Sequence, residues 1–149
     1  METVVVGVDG SEGASVALEF AAREAAMRNA RLRIVAAWEI PPAVLASVVA
    51  GREFYEELQA NALATVQAAV ARVAELQPSV ECEGRVVEGQ AGNVLIDEAG
   101  DADLLVVGSR GHGGFRELLL GSVSRQVVQH APCPVVVVPP AAVKASRDR

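Results

Sequence analysis

Short apolar runs alternate with helix-like stretches along the chain, and this alternation restricts the fold more than any other feature. The apolar runs are rich in valine, leucine and isoleucine and cover residues 3–9, 31–38, 79–89, 102–108 and 133–140. Such runs are typical of buried strands in a parallel sheet. The stretches between them predict helices at residues 12–30, 52–77, 91–101 and 122–131.

Strand and helix alternate without a linker or an internal repeat, which predicts one open five-stranded parallel sheet with helices on both faces. We therefore expect a single domain over residues 1–140, followed by a mobile tail over residues 141–149. The third strand is expected near a sheet edge because its pattern alternates. Ser11 is expected to cap the first helix, and the prolines at 41 and 42 to end regular structure.

The charge balance excludes several kinds of site. The net charge is −6, and the only lysine, Lys144, lies in the tail. General nucleic-acid binding needs clustered basic residues and is not expected. A P-loop lysine is excluded for the same reason, so any positive charge at a site must come from arginine.

The remaining composition predicts no membrane segment and no redox chemistry. No stretch resembles a signal peptide or approaches the length of a membrane span, and we expect a cytoplasmic protein. Cys82 and Cys133 are interpreted as two buried thiols that act as small apolar side chains.

Two polar turns follow strands that would be neighbours if the sheet winds outward from its middle. The turn "VDGS" follows the first strand and "GSRGHGG" follows the fourth. Ligands of open parallel sheets bind beyond the carboxyl ends of the strands, where the winding reverses. The alternative is that the glycines only shape a surface loop.

The groups at the start of the last predicted helix favour the binding of an anion at the carboxyl edge of the sheet. Gly121 and the Ser122-Val123-Ser124 segment open the last predicted helix, whose free N–H groups, dipole and hydroxyls suit a phosphate without any lysine. Asp9 ends the first strand, where its carboxylate can accept hydrogen bonds from ribose hydroxyls. The spacing fits neither G-x-x-x-x-G-K-[ST] nor G-x-G-x-x-G.

The glycine spacing instead resembles that of the universal stress protein family, whose nucleotide motif is G-x2-G-x9-G-[ST]. Gly108, Gly111, Gly121 and Ser122 match it completely. The opening "VVVGVDGSEGA" and the closing "HAPCPVVVVP" are similar to the ends of that family's domain, so the resemblance extends to residue 139. It implies a Rossmann-like sheet of order 3-2-1-4-5, related to the adenine nucleotide α-hydrolase-like fold, and the ATP-binding subgroup.

The resemblance also implies a role for individual residues. Asp9 would bind ribose, with Gly10 and Ser11 in the same turn, and Gly108 would approach the ribose. The adenine would lie between the backbone near Ala37 and the side of Val107. The phosphates, with Mg²⁺, would be held by Gly111, Gly121, Ser122, Val123 and Ser124. Arg110 is interpreted either as a partner of the terminal phosphates or as a solvated surface residue.

The resemblance therefore implies an ATP-binding regulatory module in a stress or dormancy response. No residue is a convincing base, so at most slow hydrolysis is expected and no catalytic residue or protein metal ligand is assigned. The alternatives are a binder of another adenine nucleotide such as cyclic AMP and an ATP-using enzyme of the α-hydrolase-like class. The turn "DGSEG" counts against the enzyme.

The resemblance to the universal stress protein family also implies a homodimer, and the last apolar run suits one. The resemblance implies pairing of that strand with its copy across a two-fold axis, through Val135, Val136, Val137 and Val138. The alternative is that the chain's own tail covers the strand. Trp38 is interpreted either as a cover for the pocket mouth or as part of the core. A helix-face or capping role is assigned to four acidic residues, with the alternative that one of them faces the ligand edge of the sheet: Asp97, Glu98, Asp101 and Asp103.

Overall fold

In the computed structural model, which describes residues 1–45, 51–111 and 120–140, the strands form one parallel sheet. The strands are β1 (Thr3–Gly7), β2 (Arg31–Trp38), β3 (Cys82–Glu88), β4 (Leu104–Gly108) and β5 (Val135–Val138). The helices are α1 (Glu12–Arg28), α2 (Pro42–Leu45), α3 (Arg52–Leu76), α4 (Ala91–Glu98) and α5 (Ser122–His130). The sheet order is β3-β2-β1-β4-β5, so the predicted fold class and the edge position of β3 are confirmed.

Two apolar cores lie on opposite faces of the sheet because successive strand residues point to opposite sides. Val4 and Val6 of β1 pack on the face covered by α1 and α3, whereas Val5 packs on the face covered by α4 and α5. Alanines of α1 are fully buried, which brings that helix close to the strands. This packing places the first turns of α1, α4 and α5 at the carboxyl edge of the sheet.

The boundaries differ from the predicted ones in ways that have local causes. Pro42 does not end regular structure: it begins α2, since proline is favoured in the first helical turn. Helix α1 ends at Arg28 because Asn29 adopts a left-handed conformation, with φ 53°. The predicted tail, residues 141–149, lies outside the described residues.

The structure shows how deeply the two cysteines and Trp38 are buried. Cys82 and Cys133 are free and only half-buried, which corrects the expectation of two buried thiols. Burial raises the pKa of both, and for Cys133 the charge of Asp103 adds to this effect. Trp38 belongs to the core and meets Tyr55 edge-on, with ring centroids 4.6 Å apart. It therefore packs in the core rather than covering a pocket.

Candidate functional site

A cavity of about 510 Å³ opens where the winding of the sheet reverses, between the ends of β1 and β4. We call it the crevice. All predicted site residues except Gly10 line it: Asp9, Ser11, Ala37, Val107, Gly108, Arg110, Gly111, Gly121, Ser122, Val123 and Ser124. Gly10 instead turns the chain between β1 and α1, with a left-handed φ of 82°.

The crevice also has an apolar wall that was not predicted from the sequence. Val35, Ala91 and Leu95 line it, together with Gly7, Val8 and Ala14. Gly7 makes room for Leu95, since a Cβ on Gly7 would lie 2.8 Å from Leu95 Cδ1. The spacing of Ala91 and Leu95 places them on one helix face. No sequence signal showed that this face of α4 meets the crevice, because that depends on how the helix crosses the sheet.

The carboxyl end of β2 presents main-chain groups to the crevice. β1 pairs with β2 only as far as Gly7 opposite Val35, whereas β2 continues beside β3 to Trp38. The Val35 carbonyl accepts the Val8 N–H at 2.9 Å, so the polar groups of Ala37, two residues further on, point to the same side. Among the described residues, β1 supplies no partner for Ala37. The Ala37 N–H and carbonyl, which have no partner in β1 among the described residues, therefore border the crevice.

The turn after β1 is organised by Asp9. Its carboxylate accepts hydrogen bonds from the Ser11 N–H, at 2.9 Å, and from the Ser11 hydroxyl. Ser11 Oγ in turn accepts the Ala14 N–H at 3.2 Å, which confirms Ser11 as the cap of α1. Asp9 itself is exposed, so the carboxylate is fixed by its neighbours and still accessible from the crevice.

The glycines of the crevice are crowded by the protein's own atoms. A Cβ on Gly108 would lie 2.8 Å from the Gly13 carbonyl oxygen, and one on Gly111 would lie 2.5 Å from Asp9 Oδ2. A Cβ on Gly13 would lie 2.5 Å from the Arg110 carbonyl oxygen. These glycines let the start of α1 and the turn after β4 interlock. Gly13 was not singled out from the sequence.

The start of α5 leaves donors available. Gly121 is the N-cap and has no side chain to accept a hydrogen bond, so the first N–H groups of α5 lack a capping side chain. The Ser109 carbonyl accepts the Gly121 N–H at 2.7 Å and the Ser124 hydroxyl at 2.8 Å. Ser124 is only 3% exposed. Its hydroxyl proton therefore holds the turn, while Ser122 is exposed at the helix start.

A buried arginine fixes the far end of α4. Arg33 of β2 is 5% exposed and donates to the Glu98 carbonyl at 2.9 Å and to Asp101 Oδ1 at 2.8 Å. Arg85 reaches the Glu98 carboxylate at 2.8 Å. Asp103 accepts the Thr3 N–H at 2.8 Å. Glu98, Asp101 and Asp103 thus hold the fold together, and the described lining of the crevice includes none of them.

The arginines lower the pKa of two nearby carboxyl groups. The hydrogen bond from Arg33 lowers the pKa of Asp101, and that from Arg85 lowers the pKa of Glu83. Groups with a depressed pKa stabilise the fold above their ordinary values, 3.8 and 4.5, and lose that contribution as the pH falls through the folded value.

We expect Arg33→Met to make stability less dependent on pH between about pH 5 and pH 2, because the pKa of Asp101 returns toward its ordinary value. Urea unfolding at a series of pH values measures this slope. Arg31→Met is the matched control, since Arg31 lies on the same strand but is 41% exposed, 3.5 Å from Glu81. Equal slopes in the two variants would contradict the prediction.

No metal cluster of three or more His, Cys, Asp or Glu side chains occurs among residues 1–45, 51–111 and 120–140. In the same part of the chain, no helix is long and apolar enough to cross a bilayer. Within the described lining of the crevice, Asp9 is the one carboxylate.

These features define a doubly wound α/β protein with a crevice suited to an anionic ligand that also carries an apolar group. The chain belongs to the universal stress protein family, whose sequence pattern matches residues 1–139. A universal stress protein of Mycolicibacterium smegmatis is 38% identical over 141 residues, which cover 92% of this chain and 45% of that relative. The chain spans about half the length of the mycobacterial relatives that it matches.

Solved structures of the family share the fold. The universal stress protein UspA from Lactobacillus plantarum has a TM-score of 0.75 at 26% identity, covering 92% of this chain and 97% of that one. A universal stress protein in complex with cAMP has a TM-score of 0.70 at 32% identity, covering 92% and 96%. The protein from Archaeoglobus fulgidus in complex with dAMP has a TM-score of 0.68 at 25% identity, covering 93% and 98%.

Proposed function

We propose that the crevice binds an adenine nucleotide, with ATP as the preferred ligand, and that the protein is a regulatory nucleotide-binding module in a stress response. The observation that carries this proposal is the pairing of an apolar wall with an uncapped helix start across one cavity. The complexes of related proteins with cAMP and dAMP support the adenine nucleotide class.

The base would lie on the apolar wall, against Val35, Leu95 and Val107. The Ala37 N–H and carbonyl, which β1 leaves unpaired, are a donor and an acceptor on one strand edge. Adenine offers the complementary pair, a ring nitrogen acceptor and an amino donor. Guanine offers the reverse arrangement, with a ring N–H and a carbonyl, and in the pose proposed for adenine it would leave both backbone groups unsatisfied.

The sugar and phosphates would lie toward the interlocked turns. The Asp9 carboxylate is proposed to accept hydrogen bonds from ribose hydroxyls, and the first N–H groups of α5, with the Ser122 hydroxyl, to hold phosphates. Arg110 lines the same region and would add a charged donor. Mg²⁺ would bind chiefly to phosphates and water because Asp9 is the one carboxylate in the described lining.

The proposal is for binding with at most slow hydrolysis. Hydrolysis needs a group that orients or deprotonates water near the terminal phosphate. The described part of the crevice offers hydroxyls, amides and an arginine there, and its single carboxylate lies in the turn after β1, bound to Ser11. A regulatory role, in which the bound nucleotide alters a surface for a partner, fits this chemistry better than an enzyme does.

The cellular location and the oligomeric state of the protein are also proposals. We propose a cytoplasmic homodimer that pairs through β5. This strand lies at the sheet edge, beside β4, and Val135 to Val137 are only half-buried in the single chain. An apolar edge strand is a hazard for aggregation unless something pairs with it.

Calorimetric titration of the purified chain, first freed of bound ligand, tests the proposal. We expect binding of ATP, and binding of GTP that is at least about a hundredfold weaker because its base mismatches the Ala37 backbone. ADP, AMP and cyclic AMP in parallel titrations rank the phosphate preference. Cyclic AMP is the second candidate ligand, since a 32% identical relative forms that complex. Absence of binding by every adenine nucleotide would refute the site.

A further inference from the structure

Three side-chain amides join the first turn of α4 to the first turns of α5. Gln126 Oε1 accepts from Gln90 Nε2 at 3.0 Å, and Gln126 Nε2 donates to Asn93 Oδ1 at 2.6 Å. Gln90 Oε1 closes the ring by accepting the Asn93 N–H at 2.9 Å, as the cap of α4. We call these three side chains the amide ring.

A glycine makes room for this ring. A Cβ on Gly92 would overlap the Gln126 carboxamide, and the backbone of Gly92 is not in the left-handed region that would otherwise favour glycine. Gly92 is itself buried. A Cβ at this position would displace the end of Gln126, which is flexible, because the three nearest atoms all belong to the Gln126 carboxamide.

The amide ring connects two helices that line the crevice. Ala91 and Leu95 of α4 belong to the apolar wall, and Ser122 and Val123 of α5 form the uncapped helix start. Gln126 lies one turn beyond Ser122, so its hydrogen bonds hold that start at a set position relative to α4. Hydrogen bonds between carboxamides constrain the orientation of the two helices as well as their distance, whereas apolar packing alone does not.

We infer that Gln126 is a positioning residue, which sets how strongly the crevice prefers phosphorylated ligands over the bare nucleoside. The inference rests on the proposed function, because the preference exists only if adenine nucleotides bind. With the amide ring intact, the N–H groups of α5 meet the phosphates while the base stays on the apolar wall. Without it, the helix start shifts relative to the wall, and the phosphate contacts weaken while the base contacts remain.

Two independent substitutions break the same contact. Gln126→Ala removes the carboxamide, and Gly92→Ala displaces it. Both are expected to weaken ATP binding about tenfold, the loss of one charged hydrogen bond, and to change adenosine binding less than about twofold. The double variant should be no worse than either single variant, because both changes remove one shared interaction. Gln129→Ala, an exposed glutamine of the same helix, is the matched control.

Hydrogen exchange in the ligand-free proteins tests the link without any nucleotide. We expect several-fold faster exchange of the Asn93 amide in Gln126→Ala and Gly92→Ala than in Gln129→Ala, since its acceptor Gln90 loses support. Equal exchange in all three variants would overturn the link. An unchanged ratio of ATP to adenosine affinity would overturn the positioning role. Failure of the unmodified protein to bind any adenine nucleotide would overturn the proposed function, and the positioning role with it.

Discussion

Gly13→Ala is expected to lower the free energy of unfolding by about 2 kcal/mol and to abolish measurable ATP binding. The new Cβ would lie 2.5 Å from the Arg110 carbonyl oxygen, which belongs to the backbone and cannot rotate away. Either α1 or the turn after β4 must move. Both carry residues that line the crevice, Ser11 and Arg110 among them. Urea unfolding and calorimetric titration measure the two effects.

The matched control is Gly121→Ala, although Gly121 belongs to the glycine motif and Gly13 does not. A Cβ on Gly121 would lie 3.4 Å from the Ser109 carbonyl oxygen, an ordinary contact. We expect a loss below about 1 kcal/mol, the usual cost of alanine at an N-cap. If Gly121→Ala lowered the free energy of unfolding as much as Gly13→Ala does, the close contact between Gly13 and the Arg110 carbonyl would not be the cause of the loss.

Asp9→Ala is expected to weaken ATP binding by about thirty- to a hundredfold, with little change in the midpoint of thermal unfolding. The loss follows from two hydrogen bonds between a carboxylate and ribose hydroxyls. Stability changes little because the two hydrogen bonds that Asp9 accepts from Ser11 are exposed to solvent, and Ser11 still caps α1 through the Ala14 N–H. ATP binding by Asp9→Asn should be weaker than that of the unmodified protein and stronger than that of Asp9→Ala. An amide oxygen can still accept the Ser11 N–H, and so it keeps the side chain in place.

A ligand without the hydroxyls identifies the cause. If Asp9 binds ribose, Asp9→Ala should weaken 2′,3′-dideoxy-ATP far less than ATP. Equal weakening of the two ligands would show that Asp9 acts by shaping the turn instead. Asp97→Ala, which removes an exposed carboxylate from α4, controls for the change in net charge.

The sheet was predictable because each of its signals is local. Continuous β-branched runs such as Val4 to Val6 report burial on both faces, and the order of strands and helices leaves few topologies. Capping chemistry was equally local, as Ser11 illustrates. Pro42 was misread because proline ends one element and begins another with the same geometry.

What could not be predicted depends on contacts between segments far apart in the chain. Gly13 and Arg110 are almost a hundred residues apart, and only the fold shows that a hydrogen atom is all that fits between them. Arg33 looks like an exposed strand arginine until the end of α4 is placed over it. The position of Leu95 at the crevice was likewise not predictable, because it depends on how α4 crosses the sheet.

The early end of β1 has a consequence for mutational tolerance. A base contacted by the main chain of β2 makes no demand on which side chain occupies residue 37, beyond the space available beside Val35. Substitutions there can accumulate without altering the donor and acceptor, with proline as the exception because it lacks the N–H. The contact proposed for Ala37 therefore leaves no trace in residue identity, and a different residue at this position in a relative is no evidence against a shared ligand.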